Sequence, residues 1–172
     1  MLNLARQHPF ARTLVNSGRL SVPAAYADSP LNTPDSDPYA GTMRPGAVAL
    51  DAPVRADAQP GWWLSQLDGG FALALFCGAE TPRADMLDAL RALQQDEVPV
   101  QPILVCDAGA APAAAPAGVR VVEDSEGWLA RRYDARPGTC YLIRPDQHIA
   151  ARFRAFDAQA VRRALARAIG RA

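Results

Sequence analysis

Three cysteines, Cys77, Cys106 and Cys140, are the side chains of this sequence best equipped for chemistry, and their spacing limits what that chemistry can be. Dithiol exchange uses two cysteines two residues apart at a helix N-terminus, where the helix dipole lowers the pKa of the attacking thiol. No such pair occurs. The turn Cys77-Gly78-Ala79-Glu80-Thr81-Pro82 holds one cysteine, with Glu80 placed to oppose its ionisation. A Cys/His zinc site is poorly supplied, because the chain has only His8 and His148. Reduced, buried cysteines at strand ends are the simpler reading, and Cys77 alone carries the redox alternative. Neither GxSxG, GxxxxGK[ST] nor GxGxxG occurs, so serine hydrolysis, phosphate-loop binding and a self-contained dinucleotide site are excluded. The carboxylates Glu123, Asp124 and Glu126 read as residues at the start of a helix. The residues therefore assign no catalytic, cofactor-binding or metal-ligating role.

The 172-residue composition agrees with a compact domain plus an extension. Apolar residues make up 49%, formal net charge is zero, and every basic residue is arginine. Nucleic acid and anionic membranes call for a clustered basic footprint. The nearest approach is Arg152, Arg154, Arg162, Arg163, Arg167 and Arg171, which read as the solvated face of a terminal helix. No apolar run approaches the roughly 20 residues of a membrane span. Arg6, His8, Pro9 and Arg12 interrupt the stretch where a signal-peptide core would lie, so a cytoplasmic protein is expected.

The elements that must position these groups fall into three parts. Residues 1–17 read as a helix belonging to a preceding domain. Residues 18–60 read as a Pro-rich extended arm or linker, since Pro23, Pro30, Pro34, Pro38, Pro45, Pro53 and Pro60 forbid a long helix. Its spaced apolar series, from Leu20 through Tyr26, Leu31 and Tyr39 to Leu50, is that of a segment laid over a surface, one this chain need not itself contain. Residues 61–172 read as the domain proper, entered through a short helix or turn at Trp62–Leu67. The apolar run Phe71–Cys77 predicts a strand buried on both faces. Thr81 and Pro82 then predict a helix start, with Met86, Leu87, Leu90 and Leu93 on one stripe. Val100–Cys106 is a second buried strand, and Ala108–Gly118 a low-complexity loop. A short strand at Val119–Val122 precedes a helix capped by Ser125. Thr139–Arg144 and His148–Phe153 flank a Pro145-Asp146-Gln147 turn, and Asp157 caps a final helix. In this order all three thiols would start or end strands at one edge of the sheet.

The order βαβ followed by αββα resembles the thioredoxin-like fold, an α/β mixed sheet flanked by helices, here with an extended N-terminal arm. Pro137 lies near the proline that such proteins place before a main strand to face their site. Val119–Arg154 also resembles the second half of peroxiredoxins, without the Thr and Cys of the peroxidatic signature. A further resemblance covers nearly the whole chain. Gly18-Arg19-Leu20-Ser21-Val22-Pro23, Tyr26–Asn32, Pro45-Gly46-Ala47 and Asp51–Val54 are similar to the segment that joins the substrate domain to the C-terminal domain in FAD-dependent aromatic hydroxylases. These are the phenol and 3-(3-hydroxyphenyl)propionate hydroxylase type of flavoprotein monooxygenase. Trp63-Leu64, Gly69-Gly70-Phe71, Arg131–Thr139 and Tyr141–His148 resemble the thioredoxin-like C-terminal domain of that family.

The resemblance implies a non-catalytic structural or dimerisation domain of such an enzyme. FAD and NAD(P)H would be handled by N-terminal FAD-binding and substrate domains, which would be the partners of this chain alongside a second copy of itself. Tyr26, Leu31, Tyr39, Trp62 and Trp63 are the candidate interface residues, with core packing the alternative for the two tryptophans. The alternative function is a free-standing thioredoxin-like or peroxiredoxin-like redox protein that uses Cys77.

Overall fold

The computed structural model describes residues 23–112 and 115–171; the expected helix over 1–17 and the start of the expected arm lie outside them. Seven strands form one mixed sheet: β1 (Pro53–Ala56), β2 (Gln59–Trp62), β3 (Phe71–Gly78), β4 (Val100–Asp107), β5 (Arg120–Asp124), β6 (Cys140–Ile143) and β7 (Ile149–Phe153). Their spatial order is β2-β1-β5-β4-β3-β6-β7. The central strands β3, β4 and β5 run parallel, and the outer strands pair antiparallel. Ala72 to Gly78 are all buried, as the unbroken apolar run requires of a strand covered on both faces. Helices α1 (Ala84–Gln94) and α3 (Ala158–Ala168) cover one face. The short α2 (Trp128–Arg132) and largely irregular chain from residues 39–52 and 63–67 cover the other.

The strands β1 and β2 have no counterpart in the sequence reading, which ran its arm through Pro60 and placed a short helix or turn at Trp62. Pro53 and Pro60 argue against a central strand, but Pro60 lies in the edge strand β2 and Pro53 opens β1 ahead of its pairing with β5 at Arg55, positions where no ladder N–H is needed. The turn between them is Asp57-Ala58, with φ of 49° and 62°. Two left-handed residues are what a two-residue hairpin turn needs, and Asp-Ala lacks the glycine that would have advertised it. A single 3-10 turn follows at Leu64–Gln66.

Residues 23–52 form no free-standing extended arm. The Thr33 N–H donates to the Ala150 carbonyl at 2.9 Å and the Gly46 N–H to Ile149 at 2.8 Å, while Ile149 N–H returns a bond to Ala47 at 2.9 Å. The segment therefore lies along the outer edge of β7 and satisfies backbone groups that an open edge would leave unpaired. Its apolar series meets the chain's own sheet: Met43 is buried in the core and Tyr39 packs against it.

Two helix caps differ from expectation. Helix α1 begins at Ala84 with Arg83, not Thr81, in the cap position, and no side chain caps it. Helix α2 is capped from Asp124, whose carboxylate accepts from the N–H groups of Leu129 at 3.1 Å and Ala130 at 2.7 Å, and not from Ser125. The Asp157 cap of α3 is as expected, accepting from Gln159 N–H at 2.8 Å.

Candidate functional site

The end of β3 is where this arrangement of elements concentrates reactive groups. Cys77 is the penultimate residue of β3, and Cys106 that of β4 beside it. The register moves by one residue between Phe76 and Gly78, so Cys77 and Gly78 together stand opposite Cys106. Gly78 turns with φ of 61°, and a Cβ there would sit 2.8 Å from the Pro137 ring, which closes over the strand end. Pro137 thus faces the edge from across the sheet, although Gly138 and Thr139 separate it from β6. A cavity of about 410 Å³ opens here, lined by Cys77, Glu80, Pro82, Met86 and Pro137.

Cys77 by itself is a poor nucleophile. Cys77 is 6% exposed. The neighbouring Cys106 thiol and burial both push its pKa up, and its Sγ donates to the Leu75 carbonyl at 3.5 Å. The neighbouring Cys77 thiol favours ionisation of Cys106, against burial and the nearby carboxylates of Glu123 and Asp107. Helix α1 starts seven residues beyond Cys77, so its N-terminus does not serve that thiol. Cys140 is also free and buried, in β6 opposite Leu75, and burial raises its pKa to about 12. The three thiols share one core layer. These features oppose a single-cysteine enzyme built on Cys77.

The second constellation lies on the opposite face and was not legible as a site. Arg152 is buried and forms a two-pronged ion pair with Asp35, at 2.8 Å and 2.6 Å, while donating to the Met43 carbonyl at 3.0 Å. Arg154 pairs with Asp134 at 2.5 Å and with the Pro38 carbonyl at 2.9 Å. Tyr39 lies between the two guanidinium groups, 4.0 Å and 3.7 Å from its ring centroid, with Tyr141 edge-on. Asp134 also accepts from the Ala40 N–H at 2.8 Å, and that bond, with Arg154, holds its pKa below the usual carboxylate value. Two arginines assigned to a solvated helical face are therefore strand residues that fasten residues 35–43 to the sheet. Their two-residue spacing in Arg152-Phe153-Arg154 was the available signal, since alternate residues of a strand share a face.

The candidate interface residues separate into two groups. Trp63 is fully buried; its indole N–H donates to the Tyr133 hydroxyl at 3.0 Å, which donates on to the Leu50 carbonyl at 3.0 Å. The core alternative holds for Trp63, which has no surface left for a partner. Tyr39 and Leu31 are partly covered, Tyr39 by the clamp just described. Tyr26 and Trp62 remain 52% and 57% exposed, Tyr26 stacking at 4.8 Å on His148. Exposed Trp128, beneath the guanidinium of Arg131 at 4.8 Å, was not singled out.

Nothing at the β3 turn fits a flavin or nicotinamide pyrophosphate, which needs successive glycines opening a helix. Here one glycine is followed by Ala79 and the anionic Glu80. Among the described residues there is no cluster of three or more His, Cys, Asp or Glu suited to a metal ion, and no helix is long and apolar enough to cross a membrane.

Comparison with known proteins adds a family. Residues 66–168 match the model described as the HcaD C-terminal domain. The fold is shared with the flavin-dependent monooxygenase PieE (TM-score 0.67, 22% identity, 91% of this chain and 27% of that one). It is shared likewise with aklavinone-11 hydroxylase (TM-score 0.63, 22% identity, 90% and 28%). A putative thiol:disulfide interchange protein DsbE from Chlorobium tepidum is similar over 75% of this chain and all of that one, at TM-score 0.60 and 19% identity. The chain thus spans little more than a quarter of the two monooxygenases. No curated protein matches the sequence.

Proposed function

The chain belongs to the HcaD C-terminal domain family, and from that premise we propose that it is the non-catalytic C-terminal domain of an FAD-dependent aromatic-ring monooxygenase. The observation that carries this reading is the overlay with PieE, which takes in 91% of this chain, residues before the matched domain included, yet 27% of that protein. A thioredoxin-like module with no CxxC and no dinucleotide turn contributes packing to such an enzyme and takes no part in the flavin's reaction. In this reading FAD, NAD(P)H and the aromatic substrate belong to the preceding domains, in the cytoplasm. Residues 23–52 fix the angle at which the domain leaves them. The exposed Tyr26 and Trp62 are the contact residues toward those domains or toward a second copy of the enzyme, as large aromatics commonly are at interfaces.

The experiment is an immunoblot of the source cells with antibody raised to this chain. A band several times larger than 18.4 kDa is expected. A band at that mass would overturn the reading and make the domain an independent protein.

A further inference from the structure

The cysteines at the ends of β3 and β4 have a relationship that the search for CxxC cannot find. Leu75 and Leu104 are register partners, and both point into the helix-covered core layer. Beyond them the bulge sets Cys77 and Gly78 together opposite Cys106, and both thiols lie in that same core layer. Neighbouring strands are about 4.8 Å apart, and a disulfide takes Cα atoms about 4.4–6.8 Å apart. The two thiols are close enough to perturb each other's ionisation, while the Cys77 thiol donates to the Leu75 carbonyl at 3.5 Å. Both are free and 6% and 3% exposed, but Cys77 forms part of the wall of the cavity of about 410 Å³ and Cys106 part of the wall of a smaller one of about 40 Å³. That space admits a molecule the size of one or two waters, and excludes nothing so small as hydrogen peroxide.

We propose that Cys77 and Cys106 form an oxidisable cross-strand dithiol, at which a small hydroperoxide is reduced while a disulfide joins β3 to β4. The sulfur of Cys106, having lost its proton, attacks the peroxide. An S–O bond forms, the O–O bond breaks, and the departing hydroxide takes up that proton to leave as water. The sulfur of Cys77 then attacks the sulfenic sulfur. The S–S bond forms, the S–O bond breaks, and the hydroxide leaves as a second water with the proton of Cys77. Two thiols lose two electrons and two protons, and one hydrogen peroxide becomes two waters. Cys140 takes no part: it lies in β6, on the side of β3 away from β4, and burial keeps it protonated. The inference is independent of whether a flavin domain precedes this one.

The test treats the full chain with a small excess of hydrogen peroxide, then alkylates it in denaturant and measures intact mass and a peptide map. Alkylatable thiols are expected to fall from three to one. The map should show a peptide linking Cys77 to Cys106, with the label on Cys140 and with dithiothreitol restoring all three. In C77S, dimedone should trap a sulfenic acid on Cys106. Three alkylated cysteines after treatment, a link that includes Cys140, or sulfinic acid on an unlinked Cys106 of the unmutated chain would each overturn the proposal.

Discussion

The two faces of the sheet bury comparable sets of side chains by different means. On one face α1 and α3 lay continuous apolar stripes over β3, β4, β6 and β7: Leu90 and Leu93 from α1, and Val161, Ala164, Leu165 and Ala168 from α3. The seal is aliphatic and its polar groups are satisfied within the helices. On the other face one short helix and an irregular segment do the covering, and aromatic rings with polar tips fill the space. Trp63, Tyr133 and Tyr141 are fully buried there and joined in series, with the Tyr141 hydroxyl donating to the Tyr133 carbonyl. An irregular cover has no repeating bonds of its own, so it is fastened at points: Asp35 to Arg152, Asp134 to Arg154 and Ala40, and Gly46 and Thr33 to β7. A cover held at points can lift locally where a packed helix cannot.

The sharpest way to break this contrast is to remove the largest side chain from each face. Trp63→Ala takes out a buried indole and leaves the Tyr133 hydroxyl without its donor. A loss of about 4 kcal/mol is expected. Leu90→Ala under α1 is expected to cost about 3 kcal/mol. Urea unfolding of both variants checks the order. A Trp63→Ala chain as stable as the parent would mean that the irregular face is not core.

A smaller effect should separate local from global stability. Asp35→Asn removes the charge that pairs with Arg152 while keeping its shape, and about 1–2 kcal/mol is expected because the pair is only partly withdrawn from water. Amide exchange within residues 33–47 should quicken while α1 and α3 keep their protection. Equal acceleration on both faces would show that the segment is not a separate unit. In the unmutated chain, uniformly fast exchange from residue 23 to residue 52 would likewise remove the docked segment.

The smallest predicted effect concerns acid. The folded pKa of Asp134 is depressed by the Ala40 N–H and by Arg154. Its contribution is therefore fully present above the unfolded value of about 3.9 and is lost as pH falls through the folded value. The Ala40 amide should accordingly lose protection, relative to amides of α3, as pH is lowered below about 4. Asp134→Asn should flatten that dependence. An unchanged profile in the variant would assign the acid response to another carboxylate.

How much of this was legible depended on whether a pattern repeats. The strands β3 and β4 announced themselves as unbroken apolar runs, and α3 through its cap and stripe, because each is set by neighbours in sequence. The β1–β2 hairpin did not, since Asp57-Ala58 adopts left-handed geometry without glycine and prolines stand in both strands. The caps of α1 and α2 differ from expectation because α1 starts without any side-chain cap and because Asp124, next to Ser125, takes the N–H groups of α2. The expectation that the thiols gather at one sheet edge came from topology, whereas the facing of Cys77 on Cys106 depends on a one-residue bulge.

By itself the sequence determined the thioredoxin-like order, the two aliphatic helix stripes and the lack of a CxxC or dinucleotide turn, because these follow from residue type and short-range period. Only the tertiary structure decided that residues 23–52 cover this chain's own sheet, that Trp63 is core and Trp62 surface, and that Arg152 and Arg154 grip Tyr39. Those outcomes rest on contacts between residues as many as 117 positions apart. Each such contact is a single polar or aromatic match, and a single match leaves no period in the sequence to read.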